Sequence, residues 1–289
     1  MRKVYLLMHD ESKLIAKESK SSFYYAFTLL EKPKREAMNT VYAFCRKTDD
    51  IVDMGNEPDD LKYENLRRWR IELEKALRGS GSDIQLLNKL VTYIKQFNIP
   101  LDPFFELIAG VEMDLQRKRF PTFDDLSQYC YLVASTVGLM CIEIFGYKHS
   151  SAKDYAVNLG LAMQLTNILR DVGKDYESGR IYLPQNDMKS FSYTEAELKN
   201  KIYNEHFVNL MSYQAERAKV YFQNANDALN YEDKHSMFAA RAMQHIYYRL
   251  LKRLEAEKYD VLSKKIKVGK FEKVAISLGV WAKYRLVYG

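Results

Sequence analysis

The chain has 289 residues, 47% of them hydrophobic, with 12 glycines, 6 prolines and a net charge of +6. That content supplies one large core and favours helices over a turn-rich β fold. The small charge excess, without a recognised nucleic-acid motif, argues against nucleic acid as a partner. The opening "MRKVYLLMHDESK" meets charge too soon for a secretory signal. Pro33 starts a helix running to about Met54, which ends at "GNEPDD". Apolar periodicity predicts further helices over 60–78, 83–97, 101–117, 123–145, 151–176, 205–230, 235–257 and 270–287. "RGSGSD" at 78–83 is a loop that lacks the third glycine of a dinucleotide fingerprint. "ESGRIYLPQNDMKSFSYT" at 177–194 is the longest unpatterned stretch and a candidate lid. No strand alternation persists and no linker appears, so the expectation is one all-α domain over 1–289. No apolar run is expected to reach the roughly 20 residues that span a bilayer.

Cys45, Cys130 and Cys141 have neither metal nor redox spacing and read as buried thiols of a cytoplasmic protein. Basic residues crowd "SKKIKVGKFEK" near the C-terminus. A solvated surface is the first reading of that run, and weak attraction to anionic lipid headgroups the second.

Two polar stripes carry the chemistry. Tyr42, Arg46, Asp49 and Asp53 are spaced 4, 3 and 4 residues apart, so they share one helix face. Around them lie Val41, Ala43, Phe44, Cys45, Ile51 and Val52. Gly160, Gln164, Asn167 and Asp171 repeat the spacing, and Asp175 extends it one turn. A helix apolar nearly all round is usually buried, so each stripe should face an internal cavity.

Like charges at i and i+4 destabilise a helix by roughly 0.2–0.5 kcal/mol, and desolvating them costs more unless they are paired or bind metal. Arg46 and Arg170 face Asp49, Asp50, Asp53, Asp171 and Asp175, two cations against five anions. Oxygen donors without histidine or cysteine point to a hard ion, Mg²⁺ before Zn²⁺. Mg²⁺ binds one or two carboxylates plus substrate phosphates, and two facing stripes suit a diphosphate between them. A di-iron bundle needs a Glu-x-x-His motif on each of two helices, and the chain has one, Glu232 to His235.

"RKTDDIVD" (46–53), "YCYLVASTVG" (129–138), "LGLAMQLTNILRDVGKD" (159–175) and "GRIYLP" (179–184) together resemble the trans-isoprenyl diphosphate synthases that join prenyl chains head to head, the squalene, dehydrosqualene and phytoene synthases. The resemblance runs from about Ser22 to Tyr259 in the expected order. It implies an isoprenoid synthase-type helical bundle around a central cavity. It further implies a first Mg²⁺ motif of Asp49 and Asp53 and a second of Asn167, Asp171 and Asp175, holding two or three ions. Tyr129, Arg46, Arg170, Asp49 and Asp171 take the catalytic roles by resemblance. Ser22, Phe23, Phe27, Tyr42, Gln164, Arg180 and Tyr247 contact substrate, with Arg46, Asn167 and Arg170 again, and Val133, Ala134, Val137 and Gly138 line the prenyl tunnel. Lys174 stands where the family usually has an acid and is expected to point to solvent.

Among family members, the lack of a reductive signature leads us to expect no NADPH and a non-reductive product. Bulk at Phe23 and Phe27 would shorten the tunnel and favours two farnesyl diphosphates, giving dehydrosqualene (C30). Phytoene synthesis from geranylgeranyl diphosphate is the alternative, followed by squalene synthesis. A terpene cyclase leaves "YCYLVASTVG" and "RDVG" unexplained, and a catalytically silent assembly protein would not keep all five proposed ligands. A C30 or C40 hydrocarbon leaves into lipid, so peripheral membrane contact is expected, on a surface the sequence does not identify.

Overall fold

The computed structural model describes residues 26–54 and 57–287, with Arg285 described by its backbone only. The helices are α1 (Lys32–Asp53), α2 (Asp59–Leu77), α3 (Gln85–Phe97), α4 (Asp102–Gln116), α5 (Phe123–Cys130), α6 (Thr136–Phe145), α7 (Ala152–Glu177), α8 (Gln185–Ser190), α9 (Glu195–Lys199), α10 (Glu205–Ala228), α11 (Phe238–Ala256) and α12 (Lys270–Val287). One isolated bridge, Arg119 to Ile181, is the only β pairing among the described residues. Each helix expected from periodicity is present, with ends displaced by at most a few residues, and one hydrophobic cluster joins them.

α1 shows how local pattern becomes position. Pro33 sits in its first turn. Ala37, Val41, Phe44, Thr48 and Val52 are buried at helical spacing and pack outward into neighbouring helices. Phe44 stacks on Trp69 of α2 with centroids 5.7 Å apart, and the Trp69 indole donates to Thr48 Oγ1 at 2.9 Å. With that face committed, the Tyr42–Asp53 stripe turns to the interior.

The run 123–145 is not one uniform helix: a π-helical turn, Tyr131–Ser135, joins α5 to α6. Residues four apart in an α-helix drift by about 40° per step. A π turn has a wider repeat and takes up part of that drift, which keeps Tyr129, Val133 and Val137 on one wall. Phe123–Phe145 is the one helical run among the described residues long and apolar enough, by length and composition alone, to cross a membrane, a test that the core helix of a folded domain also passes. Half of it is buried, because it walls the interior cavity.

α7 crosses this segment at close range. A Cβ on Gly160 would lie 2.6 Å from Ser135 Cα, and one on Gly138 would lie 2.8 Å from the Ala156 carbonyl oxygen. Ser135 Oγ donates to the Val157 carbonyl at 2.8 Å across the same crossing. The 177–194 stretch is no free lid. Ile181 N–H donates to Lys118 O, Gln185 N–H donates to Phe120 O, and Ile181, Tyr182, Leu183, Met188 and Tyr193 are buried.

Candidate active site

The two stripes and the π-turn wall enclose one cavity of about 350 Å³. It has two chemically different ends. α6 and α7 run antiparallel, so Phe145 and Tyr155 share one end with Phe27, while Tyr129 and Asn167 share the other with Asp49. Lys34 Nζ, in the first turn of α1, donates to Phe145 O at 2.7 Å and ties down the apolar end. The Phe27 and Phe145 rings close it with centroids 6.5 Å apart.

Of the residues expected at the site, Phe27, Tyr42, Arg46, Asp49, Tyr129, Val133, Ala134, Val137, Gly138, Gln164, Asn167 and Tyr247 line this cavity. Asp53, Arg170, Asp171, Asp175 and Arg180 gather at the polar mouth. Arg46 bridges Asp49 at 3.4 Å and Asp50 at 2.6 Å, and Arg170 Nε donates to Asp171 Oδ1 at 2.9 Å. Arg180 Nη1 donates to Asp53 Oδ1 at 2.7 Å, linking the segment after α7 to the end of α1. Ser22 and Phe23 lie outside the described residues. Lys174 is exposed, as expected.

The mouth is short of positive charge. Burial first, and the Asp53 charge second, raise Asp49 to about 7. Burial first, and Asp171 second, raise Asp175 to about 7. The Asp49 side chain keeps 46% of its surface open, so water screens part of this penalty. Asn167 Oδ1 is buried and accepts no hydrogen bond. An orphaned amide oxygen near carboxylates that burial and mutual repulsion raise to about 7 is a donor set suited to a hard divalent cation. Among the described residues no group of three or more acidic, histidine or cysteine side chains forms a complete metal cage. Any ion here would complete its shell with water and substrate phosphate, as Mg²⁺ commonly does.

Sequence reasoning missed two groups. Asp114 on α4 is buried, and its carboxylate accepts from Tyr129 Oη at 2.9 Å and Tyr182 Oη at 2.7 Å. Burial raises its pKa, opposed by the Arg180 charge and the two tyrosines. A signal was present: Asp114 interrupts the buried series Phe104, Leu107, Ile108, Val111, Leu115. Lys273 of α12 is lowered by burial and then by nearby Arg170. Two cations kept close at a cavity mouth invite an anion. Nothing in its lysine-rich surroundings marked Lys273.

Tyr129 and Tyr182 stack at 5.2 Å, yet only Tyr129 reaches the cavity. Replacing either with Phe should cost about 1–2 kcal/mol of stability through a lost charge-assisted hydrogen bond. Tyr129→Phe should lower kcat far more than Tyr182→Phe. Thermal melts beside kcat measurements check this, and equal activity losses would remove Tyr129's special role.

The fold and this two-ended cavity are of the isoprenoid synthase type. A model of the squalene/phytoene synthase family matches residues 16–272, and the chain belongs to that family. It is 34% identical over 283 residues to the 15-cis-phytoene synthase of Synechococcus elongatus, covering 92% of this chain and 90% of that one. A crystal structure of a dehydrosqualene synthase in complex with ligand superposes with a TM-score of 0.86 at 31% identity, over 98% of this chain and 99% of that one. The squalene synthase HpnC of Alicyclobacillus acidocaldarius shares the fold, with a TM-score of 0.70 at 20% identity over 96% and 94% of the two chains. The family acts on prenyl diphosphates by head-to-head condensation.

Proposed function

We propose that this protein joins two geranylgeranyl diphosphates head to head, through a cyclopropylcarbinyl diphosphate, to phytoene. The observation that carries a head-to-head synthase is the single cavity, apolar at the Phe27–Phe145 end and ringed with arginines and carboxylates at the other. The longer substrate is supported by relatives of 32–35% identity that are named phytoene synthases, among them those of Synechococcus elongatus and Arthrospira platensis. A second reading, two farnesyl diphosphates giving dehydrosqualene, is favoured by the aromatic closure at Phe27 and by the likeness to the dehydrosqualene synthase.

Arg46 and Arg170, with Lys273, are arranged to hold diphosphate oxygens. Asp49, Asp53, Asn167, Asp171 and Asp175 are the residues that would hold Mg²⁺. The ion, when bound, neutralises charge on the diphosphate and makes it a better leaving group. Val133, Ala134, Val137 and Gly138 offer an allylic cation no nucleophile, and they exclude water that would quench it. The ring faces of Tyr42 and Tyr129 stabilise such a cation by roughly 0.5–2 kcal/mol each, whereas Phe27, at the far apolar end, bounds the prenyl chain. The second chain's double bond attacks the first cation, and loss of a proton closes the cyclopropane. A second ionisation releases the remaining diphosphate, and rearrangement and proton loss give a linear polyene with a conjugated triene at its centre, with no hydride required.

The test is a product assay with Mg²⁺ and farnesyl or geranylgeranyl diphosphate, without and with NADPH, read by mass. A C40 hydrocarbon from the longer substrate supports the proposal. A C30 polyene without reduction moves it to dehydrosqualene synthesis, and squalene appearing only with NADPH refutes the non-reductive reading. Phe27→Ala opens the cavity floor. If the wild type makes C30, this variant should gain C40 product, whereas a wild-type C40 enzyme should keep its chain length.

A further inference from the structure

α12 is bound firmly on one side and open on the other. Ser277, Val280 and Tyr284 face inward and are buried. Arg241 Nε donates to Tyr284 Oη at 2.8 Å, while Arg249 and Arg253 hold Glu272 at 2.8 and 2.6 Å. On the outer face Phe271, Val274, Leu278 and Leu286 are 93%, 38%, 47% and 85% exposed. Their spacing of 3, 4 and 8 residues makes one apolar stripe along the helix. An outward phenylalanine in line with three aliphatic side chains is more than scattered surface apolarity.

The charge beside the stripe identifies its occupant. From Lys264 to Lys283 the chain carries six lysines and one acid, Glu272, which Arg249 and Arg253 already neutralise; Lys264 pairs with Glu257 and Asp260 and Lys273 turns toward Arg170, which leaves four lysines for the outer border. Lys265, Lys267, Lys270 and Lys283 are exposed. A helix with an apolar face and a basic border lies in the plane of an anionic bilayer, its side chains at the headgroup boundary. We propose that α12 and the lysine-rich segment before it dock this protein on an anionic membrane surface.

The position suits the cavity. The inner side of α12 packs on α11, whose Ala240, Met243 and Tyr247 line the cavity, and Lys273 lies near Arg170 at its mouth. The lipid-facing helix is thus one layer from the cavity wall. Resting on the proposed reaction, this gives a hydrocarbon product a short route from cavity to bilayer. The docking itself is measured without substrate, so its failure leaves the reaction assignment standing.

The experiment is co-sedimentation of the full chain with vesicles of two parts phosphatidylcholine to one part phosphatidylglycerol, and with pure phosphatidylcholine vesicles. The wild type should bind the anionic vesicles about tenfold more tightly than the neutral ones, and added salt should weaken that binding. The double variant Phe271→Glu, Leu278→Glu should lose at least about tenfold in vesicle affinity. Its melting temperature, and its activity on detergent-dispersed substrate, should stay at the wild-type level. Absence of wild-type binding, or undiminished binding by the variant, overturns the proposal. So does wild-type self-association that the variant abolishes, which would make the occupant a second copy. A marked fall in the variant's melting temperature would mean the chain itself covers the stripe, and overturns it equally.

Discussion

Asp49→Asn and Asp171→Asn should each lower turnover by about 10²–10³-fold while the protein stays folded. Asp49 is raised to about 7 by burial and by Asp53, so the folded chain holds this carboxylate at an electrostatic penalty. Asp175 carries a similar penalty from burial and Asp171. Replacing Asp49 by its neutral isostere removes one penalised charge. Replacing Asp171 removes the charge that burdens Asp175, although it also releases Arg170 from its partner. A structural carboxylate would unfold the protein when lost, whereas a ligand for metal and diphosphate takes activity and leaves the fold.

Asp49 and Asp175 both have folded-state values above the roughly 3.9 of an unfolded aspartate. Between that value and about 7 the folded state binds more protons than the unfolded one, so stability without metal falls as pH rises through the window. Thermal melts in chelator should therefore show a higher melting temperature near about pH 5 than near about pH 8, and Asp49→Asn should flatten that slope. Added Mg²⁺ should recover stability at the higher pH by binding the ionised form. Wild-type-like turnover in either variant would refute the assignment of these residues to the site.

Gly160→Ala is the second large effect. In most helices this change stabilises by up to about 1 kcal/mol. Here the new methyl would sit 2.6 and 2.7 Å from Ser135 Cα and N, and 2.9 Å from the Ala134 carbonyl carbon. These are backbone atoms of the π turn and cannot rotate aside. We expect a net loss of about 2 kcal/mol and a melting temperature lower by about 4–8 °C. Activity should fall more than tenfold, roughly the effect of displacing positioning groups by about 1 Å, because the shifted segment carries Val133, Ala134, Val137 and Gly138. Differential scanning calorimetry and a turnover assay check this, and an unchanged Tm would mean the crossing is looser than it looks.

The sequence by itself determined what local periodicity can encode. The helices, the two polar stripes and their excess of carboxylates are all set by residues three and four apart, so they are readable without a partner in space. Tyr42, Arg46, Asp49, Gln164 and Asn167 were found this way, and they meet in one cavity. The tertiary structure decided what depends on contacts distant in sequence. Arg180 reaches Asp53 across 127 residues, and Asp114 receives Tyr129 and Tyr182 across 15 and 68. The π turn at Tyr131–Ser135 is packed closely between Gly110 of α4 and Gly160 of α7, and helical periodicity alone predicts an unbroken helix there. Phe145 closes the cavity because α6 and α7 run antiparallel, and Lys273 comes near Arg170 because α12 folds back on α11. Periodicity marks α12 as a helix, but which of its faces is covered depends on how the rest of the chain packs, and this left Phe271 and Leu278 outward.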